Sequence, residues 1–478
     1  MQHANSPPLV SREGPGEGAV PMTTTAPTKL WDKGYDLNPL IEAFEVGDDV
    51  AYDNRLVMPD VLGSIAHAAG LAKIGILEPG TFQALHQGLV QIAKLYQQGE
   101  FMLEQGDEDV HTKIENWLTA NVGDPGKEIH TGRSRNDQVL VDLRLYTREA
   151  VLPVYQAILS ACEALHELAA RHTNTPMPGY THMQRAMLST VGVWAGSYLE
   201  ALLDDLKLLD AAVDLSDQNP LGSAASYGVP LPLDRQYVAD LLGFKQVQNN
   251  VLYTQLARGK FEGAIVQALT QVMLDLSKLA QDILLFTTSE YGFFSLNESL
   301  LTGSSIMPQK KNLGAVELLR GRAQVMLGYQ QQILGILSGL PSGYNMDSQD
   351  TKKPFMDALD LAAQSAAVAA LVVSQIEPNE EKMAEACSPE LFATDIAYDL
   401  VRNGTPFRDA YRKVAGMIAD LPGQDPKSHL EHRNHQGTHG DLRLDVSADE
   451  ITRRWQTIEA RSEELAGIVS GLLSGERL

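Results

Sequence analysis

A mainly α-helical fold with a long central bundle is predicted by three features of this 478-residue chain. Val191, Trp194, Tyr198, Leu202, Leu206, Leu209 and Val213 recur at helical spacing, as do Phe261, Ile265, Leu269, Val272, Leu276, Leu279, Ile283 and Phe286. Each series lays an apolar stripe along one helical face. No proline falls between Pro232 and Pro308, so nothing there forces a helix to break. Alternating apolar and polar residues, the mark of half-buried strands, are scarce.

In chain order, residues 1–28 are rich in Pro, Gly, Ser and Thr without an apolar period and are expected to be a disordered N-terminal tail. Met22 opens a more ordinary beginning and is the alternative start. Gly14-Pro15-Gly16-Glu17-Gly18 has no strand before it and is not a dinucleotide loop. An N-terminal helical domain is expected over 29–130, with order beginning near Trp31 and an interruption at Gly123-Asp124-Pro125-Gly126. The central long-helix bundle covers 131–385, and Val316, Leu319, Ala323, Met326 and Ile333 continue its pattern. Bundles of this length also imply a subunit interface. A small helical C-terminal domain covers 386–478. In it Ser388 and Pro389 open a helix as cap and first residue, 422–440 is a polar loop, and a closing helix runs from about Ala448 to Leu473.

The net charge of −23 argues against nucleic acid or an anionic membrane as partner, though not against an anionic substrate, since a few cations can dominate one cleft. Cys162 and Cys387 match no metal or redox spacing and suit a reducing cytoplasm. No uninterrupted apolar run approaches the ~18 residues of a membrane span, and no secretory signal opens the chain.

Four segments concentrate polar chemistry: Asp107-Glu108-Asp109-Val110-His111-Thr112, the run from His130 to Gln138, Gly179-Tyr180-Thr181-His182-Met183-Gln184-Arg185, and the decapeptide Gly303-Ser304-Ser305-Ile306-Met307-Pro308-Gln309-Lys310-Lys311-Asn312. Singly, the first could be a solvated helix start, the second a surface salt-bridge turn and His182 a capping histidine after a Pro/Gly loop. The decapeptide is too particular for a plain turn. It places hydroxyls, ammonium groups and an amide on a Gly-opened loop between two long helices, where they can close over an anion. That combination suits proton abstraction beside a carboxylate. The intermediate gains a charge, and each tenfold in rate requires about 1.4 kcal/mol of selective stabilisation.

Gly-Ser-Ser-x-Met-Pro-x-Lys-x-Asn resembles the signature of the fumarase/aspartase superfamily. Together with the His130–Gln138 run, Gln309-Lys310-Lys311-Asn312 resembles the argininosuccinate lyase family within it, and the likeness extends from about Trp31 into the last domain. The resemblance implies a three-domain subunit, a homotetramer around a twenty-helix core with active sites shared between subunits, and reversible cleavage of argininosuccinate to arginine and fumarate. No cofactor and no metal is expected. By the same resemblance Ser304 removes the proton, Lys310 and Asn312 stabilise the added charge, and Thr181 with His182, relayed by Glu317, serves the leaving nitrogen. Which of Ser304 and His182 is base and which acid is left open, with Ser304 favoured. Arg135, Asn136, Asp109, His111, Thr112, Gln184, Tyr344, Gln349 and Lys352 are the matching substrate-binding positions, and Asp53 would face the guanidinium or amino end.

Three positions depart from the family pattern: Leu313 after Asn312, Asp49 where a serine is expected, and Gln255-Leu256-Ala257-Arg258-Gly259-Lys260. Competing expectations are another fumarate-releasing lyase, such as adenylosuccinate lyase or aspartase, and a catalytically silent helical paralogue. His429, His432, His435 and His439 are expected on a mobile surface loop that holds no metal.

Overall fold

A computed structural model describes residues 38–104 and 107–478. The expected N-terminal tail, the alternative start and the beginning of order at Trp31 lie outside the described residues.

The N-terminal part packs α1 (Val57–Lys73), α2 (Pro79–Gln97) and α3 (Val110–Val122). Helix α1 is buried almost all round, from Val57 to Leu71, as an apolar helix inside a large domain must be. The chain then enters α4 (Arg135–Arg171), a helix of 37 residues. After it come α5 (Val191–Ser216), α6 (Lys260–Phe286), α7 (Gly314–Leu337) and α8 (Lys352–Ser374). These five pack as one bundle, α8 against α4, α6 against α7, and α5 against both α4 and α6. A single hydrophobic core runs through them from Leu56 to Leu472.

Helix α8, with its lead-in from Met346, is long and apolar enough, by length and composition alone, to cross a membrane. Asp357 and Asp360 interrupt it, so the expectation that no uninterrupted apolar run reaches ~18 residues holds here. Its Phe355, Met356, Leu359, Ala362 and Ala366 are buried in the bundle, the place of a core helix.

One correction concerns the Pro/Gly loop before His182, which is a β-hairpin. Strands β1 (Pro176–Thr181) and β2 (Gln184–Thr190) pair antiparallel with Thr181 opposite Gln184 and a bulge after Gly179. The turn is therefore His182-Met183, and both residues have left-handed backbones, φ 55 and 61. Two-residue hairpin turns need this geometry, but usually take it from Asn or Gly.

In the C-terminal part Ser388 caps a short 3₁₀ turn, Pro389–Phe392, and makes no capping bond to the backbone. Its hydroxyl donates to Glu390 Oε1 at 2.5 Å instead. Helices α9 (Ala393–Arg402) and α10 (Phe407–Ala415) form small cores of their own. The closing helix α11 (Leu444–Ser474) leaves them and lies back on α4. The polar stretch over 422–440 is more packed than expected: Leu430 and His439 are buried, and Thr438 Oγ1 donates to the carbonyls of Arg433 and His435 at 2.8 and 2.6 Å. Most of its other residues, His432 and His435 among them, are exposed.

Candidate active site

Two helix starts and a 3₁₀ turn build a cavity of ≈ 450 Å³ at one end of the bundle. Asp109 caps α3, its Oδ1 accepting the Thr112 amide at 2.8 Å, so the acidic segment is a buried helix cap and not a solvated start. Ser134 caps α4 in a reciprocal capping box with Asp137. That cap fixes Arg135 and Asn136 in the first turn, facing the cavity. The Arg135 guanidinium reaches back to Glu108 at 2.5 Å and also pairs with Asp109.

The opposite wall comes from the turn Met346–Thr351 and the first residue of α8. Lys352 is 2 % exposed, and its Nζ lies 2.5 Å from Asp53 Oδ1 and 3.1 Å from Asp49 Oδ1. Burial pulls the ammonium down, but the two carboxylates outweigh it and hold Lys352 above the usual lysine value. Burial pushes the Asp49 carboxyl up against the opposing pull of Lys352. Gln349 bridges the wall, donating to Asp49 Oδ2 at 2.7 Å and accepting from Arg258 Nη2 at 3.0 Å. Arg258 also lies 5.3 Å over the Tyr344 ring. The Asp49 and Arg258 departures thus meet on one surface. Asp53 is engaged by Lys352 and by the Val110 amide at 3.1 Å, so it anchors the lysine while also lining the cavity.

Behind His111 lies a buried polar cluster invisible to sequence reasoning. Its Nδ1 bonds Asp60 and lies 3.6 Å from Asp142. Burial and then the neighbouring Asp60 push Asp142 well above the usual carboxylate range. Burial would raise Asp60 too, but His111 outweighs it and the net shift is downward. Ligand atoms of Asp60, His111 and Asp142 lie within 4.8 Å of one another, a grouping able to hold a cation. Arg133, donating to Ser64 at 2.9 Å beside Asp60, already brings positive charge there. Asp60 and Asp142 sit singly in apolar helical stretches, and no local motif marks them. Glu115 and His130 also line the cavity and were not assigned to it. Burial and Arg133 push the His130 imidazole down to about 4, which leaves it neutral near pH 7.

Of the sequence-predicted residues, Asp53, Asp109, His111, Arg135, Asn136, Tyr344, Gln349 and Lys352 line this one cavity. Thr112 is buried beside it in the first turn of α3. The remaining seven do not line it. Thr181, His182 and Gln184 are exposed on the β1–β2 hairpin. Ser304, Lys310, Asn312 and Glu317 belong to the loop before α7 and its first turn. That loop is tied at its base, where Thr302 and Asn312 exchange backbone hydrogen bonds of 2.9 and 2.8 Å. Within it the Ser304 Oγ accepts the amides of Ile306 and Met307 at 3.4 and 3.1 Å, and Lys311 pairs with Glu298.

A family model described as Lyase matches residues 39–328. The argininosuccinate lyase of Sorangium cellulosum is 45% identical over 425 residues, covering 89% of this chain and 99% of its own. That of Bacteroides thetaiotaomicron is 40% identical, covering 90% and 95%. Among solved structures, an EDDS lyase in complex with formate superposes with a TM-score of 0.79 at 25% identity, covering 91% of this chain and 94% of that one. The chain belongs to the lyase family and, within it, to the argininosuccinate lyases.

Proposed function

We propose that this lyase cleaves argininosuccinate to arginine and fumarate, the last step of arginine biosynthesis, as a cytoplasmic homotetramer whose active sites are assembled from several copies. The observation that carries the reaction is the 45% identity to a relative of that name across nearly its whole length. The charge of the cavity supports the substrate. Six carboxylates (Glu45, Asp49, Asp53, Glu108, Asp109 and Glu115) face three permanent cations, Arg135, Arg258 and Lys352. A surplus of negative charge suits the cationic, amino-acid end of the substrate, with Arg135 and Asn136 at the edge where a carboxylate would lie.

The dianionic end then needs the loop and the hairpin. Two amides already point at the Ser304 oxygen, and hydrogen bonds to the charged form favour an alkoxide. Ser304 takes the proton beside the carboxylate, and Lys310 and Asn312 meet the charge that appears. His182, with Thr181 and Glu317, delivers a proton to the departing nitrogen.

Assembly is supported by α7. One stripe of it is buried (Val316, Leu319, Ala323, Met326 and Ile333), while Leu318, Val325 and Leu334 are exposed. Gly321, Gly328 and Gly335 recur at heptad spacing, and a Cβ at any of them would meet nothing within 4 Å. Each interior glycine costs a helix about 1 kcal/mol relative to alanine. Close approach of a second copy would offset that cost. Two buried, unpaired cysteines fit the reducing cytoplasm.

The test offers purified protein argininosuccinate, adenylosuccinate and aspartate in parallel and follows fumarate by its ultraviolet absorbance. Fumarate from argininosuccinate alone is expected. Its appearance from another of the three, or from none, rejects the assignment.

A further inference from the structure

The hairpin that presents His182 is fastened to the C-terminal part of the chain. Leu188 of β2 is 3% exposed and packs in a separate small core whose other members, Cys387, Leu391, Phe392 and Leu430, all come from after residue 386. Arg185 Nη1 donates to Ser388 Oγ at 3.3 Å. Beyond Leu430 the chain folds over the strands, and Thr181, Leu188, Arg433 and His439 share the walls of a ≈ 370 Å³ cavity between the two.

The shape of that strap is set by Arg433. Its Nη2 binds both oxygens of Asp395 at 2.7 and 2.9 Å, and its Nη1 donates to the His429 carbonyl at 3.1 Å. Its own carbonyl accepts Thr438 Oγ1 at 2.8 Å and the Gly440 amide at 3.2 Å. A Cβ on Gly440 would sit 2.7 Å from that carbonyl, so only glycine allows the closure. The His429 ring lies 4.8 Å from the ring of Phe392, joining the strap to the small core.

This fastening answers a physical need. An isolated two-stranded hairpin is marginal in water. This one also has two non-glycine residues in the left-handed region, a backbone conformation that L side chains resist. On its inner side Tyr180 packs on Phe286 and Tyr291, at 6.3 and 5.7 Å between ring centres. On another side Leu188 is held in the small core and the strands share the cavity walls with the strap, while Met183 and Met187 stay exposed.

We propose that the Arg433–Asp395 pair and the 429–441 strap are positioning elements for catalysis, holding the β1–β2 hairpin so that Thr181 and His182 point into the assembled site. This rests on the reading that those two residues act in proton transfer. A displacement of about 1 Å at a reacting group can cost ~10²-fold in rate, so loosening the strap lowers turnover without removing a substrate contact.

Arg433→Ala and Asp395→Ala, made singly, are compared with the exchanged pair Asp395→Arg with Arg433→Asp. Each single variant is expected to lose about 10–100-fold in kcat with KM within about twofold, and to exchange its 176–190 amides faster than the rest of the chain. The exchanged pair is expected to recover most of kcat and of the amide protection. Wild-type kcat in both single variants overturns the proposal. So does a loss that tracks global unfolding, with no selective change at the hairpin. His182→Ala is run alongside: full activity there refutes the proton-transfer reading itself, whatever the strap variants do.

Discussion

Lys352 and Asp53 form a buried ion pair, 2.5 Å from Nζ to Oδ1, that joins the start of α8 to the N-terminal part across 299 residues of chain. Asp49 adds a second carboxylate 3.1 Å from the same nitrogen. Two anions around one buried cation leave little tolerance for losing the cation.

Lys352→Met therefore leaves Asp53 buried without a counter-ion, and the expected destabilisation is about 3–5 kcal/mol, read as a shift of the urea midpoint. Adding Asp53→Leu removes the stranded charge and should return much of that stability without restoring turnover. If the single variant unfolds at the wild-type midpoint, the pair is not the brace described here.

Ser304→Ala removes the proposed base while leaving the loop tied at Thr302 and Asn312. Turnover should drop by about 10³-fold or more with KM changed only a few-fold, and the far-ultraviolet spectrum should match the wild type. Activity within tenfold of wild type would assign the base elsewhere, His182 being the candidate then left.

Gly328→Leu should favour the helical conformation of α7 by up to about 1 kcal/mol, yet fill the open face proposed to receive a second copy. Sedimentation velocity is expected to show smaller species, and activity should fall with assembly. A variant of wild-type mass and rate would remove the glycine stripe from the interface.

Asp205 on α5 supplies a pH test remote from the cavity. Burial, then the charges of Asp275 and Asp204, push its carboxyl up to about 7 from 3.8. The folded protein keeps that proton where the unfolded chain has lost it, so stability falls as pH rises from about 3.8 to about 7. Asp205→Asn does not titrate. Its advantage over wild type should be absent near the lower value, grow between the two and level off above, reaching on the order of 2 kcal/mol after allowance for solvent screening. Equal stability of the two proteins near pH 8 would contradict the shift.

Periodicity carried far in this chain because long helices repeat one environment many times. All eight residues of the 261–286 series are buried, and the buried set of α7 consists of the same five residues its spacing selects. The α5 series is looser: Trp194, Tyr198 and Val213 are only partly covered, since the indole and phenol reach Asp282 with their polar ends. Eight of the residues chosen from sequence line one cavity, while those chosen on the hairpin and in the decapeptide do not. Their pairings were not legible, because Lys352 with Asp53 and His111 with Asp60 are set by packing between helices distant in sequence. The hairpin was missed for a related reason. Its strands contain Pro176, Pro178 and Gly179, residues that oppose a strand, and the docked strap compensates for that weakness.

The two backbone hydrogen bonds between Thr302 and Asn312 have an effect on how change at the entrance spreads through the molecule. Whatever path 303–311 follows, α7 departs from the same point, because the ends are fastened to each other and not merely to the bundle. Tempo and firmness are thereby expected to separate: exchanges at Ile306 or Gln309 should change the rate if Ser304 is the base proposed above, and leave the melting of the helices below as it was.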